Sequence, residues 1–409
     1  MIAESESTVK EYKILMLSHR YDVFVKETVE AVSRHVNQIN VLIHHNKLAE
    51  FSNYVPLGGY LEHVKKFTKT NLLNLNEKPN NVNINLVPVT YFIPDGSNKK
   101  LGDKIAAKFE KFIKKENVDF DIIHAHFTWP CGYVGVKLKE KFDVPLVITA
   151  NGYDVYDMPF RSKNWKEKIV WTLNHADHVI AVSNSIKKIS SQKLDVEDEK
   201  ISVIPNGFNG KKFYLQEKKE ARKKLGLPKN KKIILNVANL VTVKEQKCLI
   251  EAIRKISKRK RDILCIIVGS GELKKDLENK IKRSNSGDYI KLAGAKPHEE
   301  IPLWMNAADV FVLPSLNEGN PTVMFEALGV GLPFVGTKVG GIPEVITSGD
   351  YGLLVEPMNS EDLAEKILIA LNKEWNREKI LKYAEQFTWE NIAKETVEIY
   401  EKVIRNKNQ

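Results

Sequence analysis

Short apolar runs rich in Val and Ile alternate along the chain with longer segments whose apolar residues recur every three or four positions. A strand followed by an amphipathic helix, many times over, predicts βα units wound on a parallel sheet. A first series of strands is expected at 13–17, 39–43, 84–89, 121–126, 144–149, 178–182 and 201–204, with helices over stretches such as 27–35 and 104–115. A second series follows Pro205-Asn206-Gly207, with strands at 233–237, 263–268, 289–292, 310–313, 333–335 and 352–355. Between its first two strands, Leu249, Ile250, Ile253 and Ile256 form one stripe while Glu251, Arg254, Lys255 and Lys258 face away, so this helix packs one side on a sheet. The polar, Lys-rich stretch 206–227 is expected to be the hinge between two doubly wound domains, with a cleft beside it. After Trp375 the pattern is helical only and ends in 388–404, where Ile392, Val397, Ile399, Tyr400 and Val403 supply apolar contacts. The expected architecture is α/β, with two doubly wound Rossmann-like domains at 1–207 and 208–385 and a last segment at 386–409.

Composition narrows the class. The chain has 409 residues, of which 43% are hydrophobic and 28% charged, as in globular proteins of two or three domains. No run approaches the ~18 apolar residues that span a bilayer, and residues 1–13 carry Glu4, Glu6 and Glu11 instead of an apolar signal segment, so a cytoplasmic protein is expected. Cys131, Cys248 and Cys265 are far apart and lack any Cys-x-x-Cys pair, which reads as reduced, buried thiols. The net charge of +11 is regional, since residues 201–300 hold 25 Lys+Arg against 11 Asp+Glu. The basic runs have no interleaved aromatics and no nucleic-acid reader motif, so a solvated basic face is expected and nucleic acid is not. An anionic small ligand or an anionic membrane surface also fits. Residues 60–73, with Lys65, Lys66 and Lys69, and 99–115 are the stretches that would touch a membrane; in the second, Leu101, Ile105, Phe109 and Phe112 or Ile113 form a stripe that packing on a sheet explains more cheaply.

Zincin, serine-hydrolase and P-loop motifs are absent. Val268-Gly269-Ser270-Gly271 places Gly-x-Gly at a strand end, which fits a tight strand-to-helix turn as well as a phosphate contact. The richest stretch runs from Leu313 to Glu344: Leu-Pro-Ser-Leu-Asn-Glu318-Gly319-Asn320-Pro321-Thr322, then Glu326, Gly331-Leu-Pro333 and Val339-Gly340-Gly341-Ile-Pro343-Glu344. Here a strand ends, a Gly-containing turn follows, and Pro321 suits the first helical position, so free backbone N–H groups would form an anion site. Glu318 before that helix and Glu326 in its second turn would present two acceptors to one polyhydroxylated ligand.

Glu318-x7-Glu326 with the Gly-x-Pro and Gly-Gly-Ile-Pro-Glu segments resembles the retaining nucleotide-sugar glycosyltransferases of family 4, which have the GT-B fold. Val237-Ala-Asn239-Leu-Val-Thr-Val-Lys244 is similar to the family's phosphate-binding loop, Val203-Ile-Pro-Asn206-Gly207 to its interdomain stretch, and Ile123-His124-Ala-His126-Phe to its first-domain signature. The resemblance is nearly continuous over 121–404. It implies two Rossmann-like domains, the last helix returning to the first. It also implies transfer of a hexosyl unit from a UDP- or GDP-linked sugar to a glycan, lipid-linked or small-molecule acceptor, with no other cofactor and no metal. By that resemblance Lys244 pairs with the donor diphosphate, Glu326 accepts from ribose hydroxyls, and Glu318 with the Asn320–Thr322 backbone contacts the transferred sugar. Asn239, Gly269, Gly271, Asn320, Pro321 and Thr322 complete the donor contacts, and His126 ends a strand where a ligand binds. The sequence departs from the family where Asn239 replaces Arg, Glu245 replaces Gly and Asn151 replaces the His before Gly152. The glycine-rich loop after the first strand is replaced by residues 18–25. His19, Arg20, Asn151 and Asp154 are therefore candidate acceptor or donor-sugar contacts. The departures also leave room for a non-catalytic sugar-nucleotide binder, or for a nucleotide-sugar epimerase of the same fold.

Overall fold

A computed structural model of the protein describes residues 10–51, 67–91 and 100–409. Part of the basic stretch 60–73, including Lys65 and Lys66, lies outside the described residues, as do Lys99, Glu4 and Glu6. The chain forms two compact units, one of Met1–Pro205 with Trp389–Gln409 and one of Asn206–Thr388.

The first unit is built on seven parallel strands: β1 (Lys10–Ser18), β2 (Val36–Asn46), β3 (Val82–Val89), β4 (Ile122–His126), β5 (Leu146–Ala150), β6 (His178–Ala181) and β7 (Ile201–Val203), in the order β3-β2-β1-β4-β5-β6-β7. Both faces are covered, so β1 reads as a continuous apolar run, with Ile14, Leu15, Met16 and Leu17 all fully buried. Leu15 and Leu17 pack beneath the helices Leu101–Glu116 and Tyr133–Phe142. Ile14 and Met16 pack with the helices Val23–Val32 and Trp389–Lys407 on the opposite face. The stripe of Leu101, Ile105, Phe109 and Ile113 is buried in this core. The first helix begins four residues before the expected 27–35, because Val25, Val29 and Val32 already form its buried stripe. The last helix is locked to this unit: Tyr400 is fully buried and its hydroxyl lies 2.6 Å from His124 Nδ1, while the Trp389 indole donates to Glu27 at 2.9 Å.

The second unit carries six parallel strands: β8 (Lys232–Val237), β9 (Ile263–Val268), β10 (Ile290–Gly294), β11 (Val310–Leu313), β12 (Phe334–Thr337) and β13 (Gly352–Val355), ordered β10-β9-β8-β11-β12-β13. The helix Gln246–Arg259 buries the expected stripe of Leu249, Ile250, Ile253 and Ile256. Residues 206–227 are not a free hinge. Phe208, Phe213 and Leu227 are buried in this unit's core, and a composition rich in lysine hides those anchors. Residues 386–388 stay with the same unit because Phe387 packs on Phe325 at 4.8 Å and its carbonyl accepts from the Phe208 amide at 3.0 Å.

Candidate active site

Open parallel sheets bind ligands outside the carboxyl ends of their strands, where the strand order reverses. In the second unit that reversal falls between β8 and β11. The loop after β8 carries Lys244 in a 3-10 turn, Thr242–Lys244, and the loop after β11 carries Glu318. The Leu316 amide bonds the Val243 carbonyl at 2.8 Å, which ties the two loops together. Lys244 Nζ then donates to Glu318 Oε1 at 2.6 Å, and Ser315 Oγ donates to the same oxygen at 2.6 Å. Beneath them Thr337 donates its hydroxyl to the Ser315 carbonyl at 2.6 Å.

The Gly-Gly-Ile-Pro-Glu segment has a packing reason. Gly340 has φ +53° and a Cβ there would overlap the Glu318 carbonyl oxygen, while the Gly341 amide donates to the Gly319 carbonyl at 2.9 Å. Gly269, at φ +150°, and Gly271 act similarly: side chains at either would collide with the carbonyls of Ala238 and Leu240, so the loops after β8 and β9 lie backbone to backbone. Both glycines thus have a structural task, the tight turn. Asn239 has an exposed side chain, and its carbonyl takes the Gln246 amide at 2.9 Å. The helix Thr322–Gly329 starts one residue later than expected, with Pro321 at its N-cap and Thr322 first. Asn320 is buried and clamps Asn206, accepting from its backbone amide at 2.8 Å and from its side chain at 2.6 Å. Glu326 is buried and meets His298 Nε2 at 2.9 Å, with Phe213 packed on the imidazole at 5.2 Å.

In the first unit the strand order reverses between β1 and β4. His19 follows β1 and His126 ends β4. Burial lowers both imidazoles to about 4, so both are neutral at pH 7. Arg20 is half-exposed and sits 3.8 Å from Asp22. Asn151 donates to the Thr149 carbonyl at 3.1 Å. Asp154 is fully enclosed and accepts from the Thr128 amide at 2.9 Å and the Gly152 amide at 2.8 Å; it staples the loops after β4 and β5 and exposes no oxygen to a sugar. Burial raises its carboxyl to about 6. Asp119-Phe120-Asp121 has the spacing of a metal-binding Asp-x-Asp pair but precedes β4 at the other end of the sheet. There Asp119 holds the Lys13 ammonium and Asp121 the Lys13 amide, both at 2.7 Å.

Sequence reasoning did not find Ser315 or His298. The spacing Ser315-x-x-Glu318 is that of a helix capping box, in which both side chains bond backbone amides, so it does not announce the hydroxyl–carboxylate bond found here. Nothing local ties His298 to a glutamate 28 positions on.

Residues 217–387 match the family model for glycosyl transferases group 1, and residues 72–211 match that for glycosyltransferase family 4. An uncharacterised glycosyltransferase of Methanocaldococcus jannaschii is 30% identical over 292 residues, spanning 70% of this chain and 77% of that protein. The chain is a family 4 glycosyltransferase. A candidate teichuronic acid biosynthesis glycosyltransferase of Bacillus subtilis, TuaC, is 34% identical over 266 residues, and the match spans 64% of each chain. The GT-B fold is shared with HepE of Anabaena, solved in complex with UDP-glucose, at a TM-score of 0.72 and 20% identity over 96% of this glycosyltransferase and all of that chain. No described helix of this glycosyltransferase is long and apolar enough to cross a membrane.

Proposed function

We propose that this glycosyltransferase moves a hexosyl unit, with retention at the anomeric carbon, from a UDP- or GDP-linked sugar to a glycan, lipid-linked or small-molecule acceptor. The observation that carries the reading is the Lys244–Glu318 contact of 2.6 Å at the reversal between β8 and β11, beside the first amides of the helix Thr322–Gly329. The Met324 amide already donates to the Pro321 carbonyl at 3.1 Å, so it is the Thr322 and Val323 amides, at the positive dipole end, that are left for an anion. Lys244 and the amides stabilise negative charge that builds on the departing diphosphate, and being fixed beforehand they need no reorganisation as it builds. Glu318 accepts from a hydroxyl of the transferred sugar and sets its negative charge near the positive charge that develops at the anomeric carbon. Glu326, oriented by His298, accepts from ribose. No resident cofactor or metal is required for these steps. The UDP-glucose complex of HepE supports a nucleotide-sugar donor.

The buried free thiols of Cys131, Cys248 and Cys265 suit a reducing cytoplasm. A groove lined by Lys47, Lys104, Lys108 and Lys111 supports peripheral contact with an anionic membrane face. Flotation on anionic against neutral vesicles, at low and high salt, checks that part.

The donor is tested by thermal stabilisation with UDP, GDP, ADP and their sugar conjugates, with Glu326→Ala in parallel. Saturation at ~100 times the dissociation constant adds ~2.7 kcal/mol. A selective shift with one nucleotide sugar, lost in Glu326→Ala, is expected. No shift with any of them overturns the donor site.

A further inference from the structure

Two donors meet on one oxygen of Glu318. Lys244 Nζ and Ser315 Oγ both lie 2.6 Å from Oε1. For the hydroxyl this is the short separation, about 2.5–2.7 Å, of a bond to an ionised carboxylate. Oε2 takes no hydrogen bond among the described residues, and it is not one of the enclosed atoms left without a partner, so it meets solvent. The carboxylate is thereby divided into a held oxygen and an open one.

The two donors differ in what they are free to do. The Lys244 side chain keeps some exposure, and its ammonium rides on a flexible four-carbon stem that an arriving anion can turn. Ser315 is fully buried, just past the end of β11. Its place is set from the next strand, because Thr337, the last residue of β12 and itself buried, donates its hydroxyl to the Ser315 carbonyl at 2.6 Å. The two strands are in register there, Leu313 beside Gly336. On the other side the Leu316 amide is fixed to the Val243 carbonyl at 2.8 Å, so the backbone around Ser315 is held from two directions. When Lys244 turns to a donor diphosphate, Oε1 keeps one donor, and no water reaches that hydroxyl to compete for it. A carboxylate anchored by the lysine alone would follow the ammonium and present either oxygen.

We infer that Ser315, set in place by Thr337, is a positioning residue for glycosyl transfer: it pins Oε1 of Glu318 while Lys244 serves the diphosphate, so that Oε2 faces the transferred sugar throughout. This rests on the donor reading above and adds to it the residue that orients Glu318. Ser315 is enclosed, so it acts through the glutamate and not on the substrate.

The test titrates the full chain calorimetrically with UDP and GDP and with UDP-glucose, UDP-galactose, UDP-N-acetylglucosamine and GDP-mannose, and reads the affinity of each conjugate relative to its bare nucleotide. For the conjugate that the parent chain prefers, this ratio should fall about ten-fold in Ser315→Ala and about three-fold in Thr337→Val. It should return to within about two-fold of the parent in Thr337→Ser, which keeps the hydroxyl. Affinity for the bare nucleotide should stay within about two-fold throughout, because Lys244 and the helix amides are untouched. A purely structural role would weaken nucleotide and conjugate together and would not be restored by a hydroxyl alone. Thr337→Val keeps the shape of its side chain, so it reports even where Ser315→Ala fails to fold. An unchanged ratio in either variant, or a loss shared equally by the bare nucleotide, overturns the positioning role and leaves the donor reading standing. A parent chain that binds none of these ligands overturns the donor reading and this inference with it.

Discussion

Glu318 and Lys244 are in contact, but they are not equally dependent on one another. The glutamate side chain is 9% exposed and the lysine 21%. Lys244→Met leaves a buried carboxylate with Ser315 as its remaining donor and little access to water. Orphaning a buried charge costs about 3–5 kcal/mol, and the Ser315 hydroxyl puts this case near the lower end. Domains of this size lose roughly 2–4 °C per kcal/mol, so the second unit should melt roughly 6–12 °C lower. Glu318→Gln leaves an ammonium that water can reach, and should cost about 1 kcal/mol or less. The double variant removes both charges and should recover most of the loss seen in Lys244→Met. Activity should behave differently. If each group makes a charged hydrogen bond realised in the transition state, each single variant loses roughly ten- to 150-fold, and the double variant recovers nothing. Thermal unfolding followed by circular dichroism, beside donor-dependent transfer, reads both. The reasoning fails if Glu318→Gln is as damaging to stability as Lys244→Met, or if the double variant is no more stable than Lys244→Met.

Gly340→Ala forces a Cβ into the Glu318 carbonyl at φ +53°; it should cost about 1–3 kcal/mol and blunt stabilisation by UDP, both readable in one thermal-shift series. Glu245 occupies φ +45°, ψ +42°, where the family carries Gly. Relief of about 1 kcal/mol in Glu245→Gly is offset by a similar chain-entropy term, so its melting point should barely move, whereas Glu245→Val should lose more than about 1 kcal/mol. His19 and His126 titrate at about 4 in the fold against an ordinary 6.5, so the unfolded chain takes up their protons first. Their contribution is full above pH 6.5 and is lost as the pH falls toward 4. Asp154, raised from 3.8 to about 6, works in the opposite sense and gains stability over the same window. His44, His124 and His178 of the same unit are lowered by burial as well, so five imidazoles outweigh one carboxyl and the first unit should lose stability between pH 7 and 5, with a shallower slope in His19→Gln. A melting point that rises on acidification contradicts this assignment.

Strands were legible because a parallel sheet buried on both faces needs uninterrupted Val and Ile, and turn residues end each run. The loop bearing Glu318 was legible for a related reason: the Gly, Pro and Glu that shape it are neighbours in sequence. Residues 206–227 misled, because fifteen polar or turn-forming positions conceal how much Phe208 and Phe213 decide once a core is near. Pro321 was placed one position too deep, since Pro suits either side of a helix start. Asp154 looked available beside Gly152, and only the fold shows both its oxygens consumed by amides of two loops. His298 meeting Glu326 was out of reach, because that pairing is set by how β10 and β11 are ordered in the sheet and not by any spacing along the chain.

The two sheets reverse strand order at corresponding places, yet the side chains there differ in kind. Between β8 and β11 stand a lysine, a carboxylate and helix amides, within a unit whose residues 201–300 hold 25 Lys+Arg against 11 Asp+Glu. Between β1 and β4 stand neutral imidazoles, and the exposed phenol of Tyr153 follows the next strand, β5. A nucleotide diphosphate carries its binding energy as charge and is drawn by such a field, while a saccharide is indifferent to it. Raising ionic strength from about 0.01 M to about 1 M shortens the screening length from about 30 Å to about 3 Å. The affinity for UDP should therefore fall steeply across that range, while saturation transfer to a neutral sugar stays level. Equal salt sensitivity of the two would mean that one charged site serves both ligands.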